Sequence, residues 1–350
     1  MTKSLGKYVV MLCAALVFGF GCRVDSQVSS AADPQGIDEV LSWLPVDTET
    51  ITVANGSFCM SDFQLSDEQR RAVSRQNLEK YFQSLTLGLF NVKESLIEKH
   101  FERQKVALAV EGSRHFRPPQ GLGGLPYEGC SIAIFADDQS DRSATFMTDA
   151  SKIALTVEEI EGEKVAVVQE RMEEDLWTFF VAFPKKNVVV VATDQGYLRE
   201  TLARMKVHVG ARALPDSLPE WKYVEKHSQF WGLRHFDKSQ SAKEDPTWPF
   251  GGRKSANIQD ERAIGLSFSF DPEKNQSATI TYLSNSPTLI EDLKQQLFPT
   301  EAEPGVKGLN ARYRAVKSGV VQGSFDLSSA DSVFIFVFAL MACLGHTIYL

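Results

Sequence analysis

Residues 152–193, KIALTVEEIEGEKVAVVQERMEEDLWTFFVAFPKKNVVVVAT, decide the fold class. β-Branched and aromatic runs alternate there with short polar breaks, which predicts strands at Ile153 to Val157, Lys164 to Gln169, Leu176 to Phe183 and Asn187 to Thr193. The breaks at Glu161-Gly162, Glu173-Glu174-Asp175 and Pro184-Lys185-Lys186 are too short for crossovers. Neighbouring strands must therefore be antiparallel. Asp194 then reads as the start of a helix to Met205, with Tyr197, Leu198, Leu202 and Met205 on its inner face.

Before this block, Asp33-Pro34 predicts a helix start, and Ile37, Val40, Leu41 and Leu44 recur at helical spacing until Pro45. A strand follows at Thr50 to Ala54. Ser66-Asp67-Glu68-Gln69 has the form of a capping box opening a longer helix, and Val106 to Val110 and Ser131 to Phe135 are short β-rich runs. After the block, strands are expected at Ala263 to Phe270, Ala278 to Leu283, Arg312 to Val316 and Val320 to Phe325. Val191-Ala192-Thr193-Asp194 leads into Leu198 and Leu202 much as Tyr282-Leu283-Ser284-Asn285 leads into Leu289 and Leu293. That echo predicts an internal duplication. The expected class is α+β: antiparallel sheets with helices packed on one face, in two similar domains at 34–215 and 216–350.

The first residues set the expected address. Lys3 and Lys7 precede an apolar run from Tyr8 to Phe20 that is shorter than a bilayer-spanning helix, which reads as a signal peptide over 1–21. Cys22 follows the small residue Gly21 and is the candidate lipid acceptor; simple cleavage and an uncleaved anchor are the alternatives. Residues 22–33 read as a tether. The expected location is extracytoplasmic, in the cell envelope, with the membrane as a partner through the N-terminal lipid or signal anchor. The uncharged stretch from Val333 to Leu350 reads as a core helix, with a second membrane span as the alternative.

Formal net charge is −8, and no cluster of Lys/Arg interleaved with aromatics offsets it, so nucleic acid is not an expected partner. Five cysteines do not make a disulfide scaffold. Cys59 and Cys130 could pair in an oxidising compartment, or stay as buried thiols.

Leu44-Pro45-Val46-Asp47-Thr48-Glu49-Thr50, the Val188-to-Leu202 strand and helix, and Trp231-Gly232-Leu233-Arg234-His235-Phe236 together resemble a family of uncharacterised bacterial exported proteins. Their mature bodies start with a Leu-Pro-x-Asp-Thr turn into a strand. The resemblance covers scattered pieces of most of the chain and implies an envelope location and α+β domains. It implies no assigned reaction.

The common catalytic signatures are missing. The six histidines, His100, His115, His208, His227, His235 and His346, stand singly, and His-Glu-x-x-His and Cys-x-x-Cys ligand pairs are absent. Gly-x-Ser-x-Gly does not occur, and Ser-x-x-Lys occurs only at Ser4 to Lys7. Gly251-Gly252-Arg253-Lys254-Ser255 ends like a P-loop but lacks the leading glycine, and Gly121-x-Gly123-Gly124 lacks flanking elements. Asp137, Asp138 and Asp141 follow a strand and read as a wet strand end; no metal and no cofactor is expected.

One region stands out. Trp231, Arg234, His235, Trp248, Phe250 and Arg253 fall in a stretch with little periodicity, and aromatics on a long loop call for something to cover them. They are the candidate binding surface for a protein partner; the alternative places Trp231 and Phe236 in a strand, with Trp248 and Phe250 plugging the edge of the core. The competing expectation is a hydrolase assembled from distant residues around His235, with Asp237 or a neighbouring carboxylate as its acid.

Overall fold

The computed structural model describes residues 35–55, 106–116, 127–152, 156–172, 175–207, 211–235, 263–271, 277–284 and 311–326. Three α-helices are described: α1 (Gln35–Trp43), α2 (Ser140–Lys152) and α3 (Gln195–Lys206). Twelve strands complete the framework. They are β1 (Thr50–Asn55), β2 (Val106–Phe116), β3 (Tyr127–Phe135), β4 (Thr156–Ile160), β5 (Glu163–Met172), β6 (Asp175–Lys185), β7 (Val188–Ala192), β8 (Phe230–His235), β9 (Ala263–Asp271), β10 (Ser277–Ser284), β11 (Ala311–Lys317) and β12 (Val320–Asp326).

All twelve belong to one sheet, in the order β11-β12-β10-β9-β8-β1-β2-β3-β7-β6-β5-β4, and every neighbouring pair is antiparallel. The protein is thus mostly antiparallel sheet with few helices, which satisfies the α+β expectation only loosely. The described strands do not divide into two sheets. Residues expected to lie in separate domains meet directly where β1 pairs with β8.

The sheet repeats itself about that central pair. One arm runs outward as β1-β2-β3-β7-β6 and the other as β8-β9-β10-β12-β11, so each is a three-strand meander followed by a returning hairpin. Individual bonds repeat as well. Asn55 N donates to Gln229 O at 2.8 Å and His235 N donates to Glu49 O at 2.8 Å, the same contact read from either side of the β1–β8 pair. Phe135 N donates to Asn187 O at 2.8 Å beside the β6–β7 turn, and Ser284 N donates to Gly319 O at 2.8 Å beside the β11–β12 turn. A register shift falls just before Lys185 in β6 and just before Lys317 in β11. In this correspondence β7 matches β12 and β10 matches β3. The echo between Val191–Asp194 and Tyr282–Asn285 therefore aligns strands that occupy different places in the repeat.

Alternation along β1 sends Ile51 and Val53 to the face covered by α1 and α3, where they join Leu41, Leu44, Val110, Ile132, Val190, Tyr197, Leu198, Leu202, Trp231 and Leu233 in one core. Helix α3 starts as expected: the Asp194 carboxylate accepts from Tyr197 N at 2.7 Å and caps it. Helix α2 was not anticipated. It buries Phe146 edge-on against Phe183, centroids 5.3 Å apart, outside the α1–α3 core, so the three helices do not share one core. The Asp138 carboxylate accepts from the Ser140 hydroxyl and from Ser140 N at 2.8 Å at the start of α2, and these two bonds, the hydroxyl's first, hold its pKa below the usual carboxylate value.

Arg114 ties the first turn of the body to α3. Its guanidinium donates to Asp47 at 2.8 Å, Glu200 at 3.0 Å and Glu128 at 3.2 Å, and lies 5.2 Å from the centre of the Tyr197 ring. Partial burial disfavours its charge, but the Asp47 and Glu200 carboxylates outweigh that and hold it protonated.

Cys130 is a buried free thiol, whereas Cys59 lies outside the described residues, as do the signal, the tether, Ser66–Gln69 and 333–350. Burial pushes the Cys130 thiol up from 9.0 to about 12, and burial together with Cys130 also raises the Tyr197 phenol well above its ordinary value. Both groups fold only as neutral acids. Their contribution to stability is complete below the unfolded-state values and is lost as pH rises through the folded-state ones. Urea midpoints measured from neutral pH to about pH 11 should fall above about pH 9, and Cys130→Ala should flatten the onset of that fall. In the native state the thiol should resist thiol reagents at pH 8.

Candidate functional site

The excursion between α3 and β8 folds back over the sheet through a short 3₁₀ turn at Pro219–Tyr223. Pro219 fixes the first dihedral of that turn, and Glu220 is then directed inward, 0% exposed. Its carboxylate lies over Gly265 of β9, where a Cβ would run into Glu220 Oε1 and the Arg234 carbonyl. Glycine at 265 is what leaves room for the acid.

Gly265 is the cross-strand partner of His235, the last residue of β8. Glu220 Oε1 sits 2.8 Å from His235 Nδ1, with the histidine side chain 31% exposed. A buried carboxylate on Nδ1 fixes the orientation of the imidazole ring. This is the base-and-orienter half of a hydrolytic relay. The acid partner expected at Asp237 lies outside the described residues; the observed partner is Glu220.

A hydroxyl on the same face of the sheet is that of Ser267, two residues beyond Gly265 on β9 and opposite Leu233. Ser267 Oγ, Glu220 Oε2 and Trp231 Nε1 are buried and make no hydrogen bond among the described residues. Ser267 therefore joins neither the acid nor the imidazole. No group of His, Cys, Asp and Glu able to hold a metal occurs among the described residues.

Aromatic and cationic groups hold the same excursion down. The Trp221 ring packs edge-on against Trp231 with centroids 6.0 Å apart, and its indole N–H donates to the Leu214 and Pro215 carbonyls at 3.0 and 3.1 Å. Arg212 and Lys226 lie over the Trp221 ring at 5.1 and 4.6 Å. Arg212 also bonds Asp38 and Asp216.

The sequence-derived binding residues separate under this geometry. Trp231 is 1% exposed and faces the α1–α3 core beside Val53, and Arg234 is 6% exposed on the opposite side of β8. Neither meets solvent, because both lie in a central strand of the sheet rather than in a loop. His235 is half-buried at the strand end. Trp248, Phe250, Arg253 and Cys22 lie outside the described residues. Sequence reasoning missed Glu220, and also Glu111, which is buried in β2 opposite Thr52 and Ser131. The only cue for Glu220 was its place after Pro219, and no residue pattern separates such a glutamate from a solvated one.

The His235–Glu220 pair is expected to couple energetically. A double-mutant cycle of His235→Ala and Glu220→Gln, read by denaturant unfolding, should give an interaction of about 1–3 kcal/mol. A coupling near zero would mean that the 2.8 Å contact contributes nothing to holding the turn. No described helix is long and apolar enough to cross a membrane. No family model, no curated protein and no solved structure matches this chain.

Proposed function

We propose that this chain is an exported, membrane-tethered envelope protein with a binding or structural role. The N-terminal sequence supports the address: Lys3 and Lys7, the apolar run, and Cys22 as the candidate acyl acceptor. We further propose that the two arms are duplicated units, 34–215 and 216–350, joined through β1 and β8. The resemblance to exported bacterial proteins agrees with this reading.

The observation that carries the non-catalytic role is the arrangement at His235. Acid and imidazole are joined, but the nearby Ser267 hydroxyl is bonded to neither, and Glu220 serves to pin the Pro219–Tyr223 turn onto β8 and β9. Arg114 and Arg212 likewise act as internal ties. Contact with a partner then falls to Trp248, Phe250 and Arg253, beyond the end of β8.

Fractionation of cells expressing the full chain and Cys22→Ser tests the address. The parent should sediment with membranes and the variant should be released. Cytosolic material with an intact initiator end would rule out export.

The 2.8 Å contact favours one competing reading, an extracytoplasmic hydrolase in which His235 is the base and Glu220 its orienting acid. Under that reading an activated-ester substrate is turned over by the parent, and turnover disappears in both His235→Ala and Glu220→Gln. Equal background rates for all three proteins would discard it.

A further inference from the structure

We propose that the two outer edges of the sheet, β4 and β11, bind each other between copies of this chain, so that the sheet continues from one molecule into the next. Among the described residues β4 pairs only with β5, and β11 only with β12. The pairing rests on these edges alone and holds whether the chain is a binding protein or an enzyme.

Strand parity makes the edges compatible. Twelve strands that each oppose their neighbours leave the outermost two running in opposite directions. A second copy moved sideways along the sheet therefore presents β11 to β4 as an antiparallel neighbour with the same face up. Such a contact uses two different surfaces and does not close on two molecules, so it generates a row of them.

The charges on the two edges are opposite. Strand β4 and its turn into β5 carry Glu158, Glu159, Glu161 and Glu163, whereas β11 carries Arg312, Arg314 and Lys317 and no acid. Glu159, Arg314 and Lys317 are exposed. Glu158 and Arg314 also stand on the same face. Glu158 is the register partner of the core residue Val165 and accepts from Gln195 of α3 at 3.0 Å. Arg314 heads a cross-strand row through Gln322, Thr281 and Ser267 to the core residue Leu233. Each edge exposes one valine as well, Val157 at 39% and Val316 at 43%. Charges on an edge strand commonly serve to repel other strands. Here they repel like edges and attract unlike ones, which selects β4 against β11.

The topology points the same way. β11 holds in its arm the place that β6 holds in the other, and the outer side of β6 is taken by β5 of the acidic β4–β5 hairpin. The shorter arm ends one hairpin early. In the proposed row, an acidic strand from the next molecule takes that side of β11.

Sedimentation velocity of the full-length chain in mild detergent tests this. The parent should show a mass that rises with concentration. Glu158→Lys with Glu159→Lys, and separately Arg314→Glu with Lys317→Glu, should each weaken association at least about tenfold, and an equimolar mixture of the two proteins should regain it. A parent that stays monomeric throughout, or swapped variants that associate as the parent does, overturns the proposal. Should a swap unfold the chain, the pair Glu158→Cys with Arg314→Cys, which stand on the same face of the sheet, gives an independent reading. That protein should form a disulfide ladder that neither single variant forms, and the absence of a ladder also overturns it.

Discussion

Replacing Trp231 with alanine is expected to lower the stability of this protein by about 3–5 kcal/mol, the cost of removing a large, fully enclosed aromatic side chain. Trp231 sits in β8 opposite Val53, 1% exposed, and its ring meets Trp221 edge-on. The loss removes core packing and the platform on which the Pro219–Tyr223 turn rests. Two readouts should move together: the chemical-denaturation midpoint, and the exchange of amides in the turn. A residue serving as a solvent-facing contact would behave differently, since its replacement leaves stability within about 0.5 kcal/mol. A shift that small would contradict its assignment to the core.

The second large effect belongs to the neighbouring residue. Gly232 lies at the centre of the β1–β8 pair, opposite Thr52, and a Cβ there would collide with the Ile51 carbonyl and stand 2.6 Å from Phe268 Cζ. Its opponents are backbone and a buried ring, neither of which can swing away. Gly232→Ala should cost about 2 kcal/mol or more, and Gly232→Val should leave little folded protein. Ala in place of Gly ordinarily helps a strand by reducing unfolded-state entropy, so a neutral or positive result would show that the two central strands are further apart than the register requires. A melt of each variant beside the parent decides it.

How far the sequence could be read depended on where its information is local. The hairpin series β4 to β7 announces itself because each strand is a dense apolar run and each break is too short for anything but a reversal. Glu161 and Gly162, both at positive φ, make the tight turn between β4 and β5 that the Glu-Gly pair suggested. Helices α1 and α3 were legible for the same reason, through apolar residues at helical spacing and a capping aspartate. Helix α2 was not, because among its residues of described burial only Phe146 and Ala150 are fully buried, and apart from Ala144 and Met147 the rest is polar, which leaves no apolar stripe to detect. The β2 strand was read too short, since Glu111, Gly112 and Ser113 interrupt its hydrophobic pattern; these are the places where Leu44 and Tyr197 press on Gly112 and where Glu111 is buried.

Pairing between distant strands lay beyond reach. Nothing in the composition of β1 or β8 says that they meet, because partner choice in a sheet depends on backbone bonds that every residue can make. Trp231 and Arg234 were offered as binding residues, with a strand place for Trp231 as the alternative; with β8 isolated its aromatics look unsupported, and with β1 and β9 on either side both residues are interior. His235 was singled out as a place where chemistry could gather; the acid beside it came from a turn fifteen positions earlier in the chain, where the sequence offered only a proline and a glutamate.

The claim on which this account depends is that β1 and β8 join two equivalent arms into one sheet. Residue-resolved hydrogen exchange of the Asn55 and His235 amides tests it most directly, because each donates to the opposite strand, to Gln229 and Glu49 respectively. Both should be protected to a similar degree, exchanging only with the opening of the sheet centre. Rapid exchange at both positions, with protection retained inside each arm, would mean that the halves fold without pairing and would contradict the single sheet.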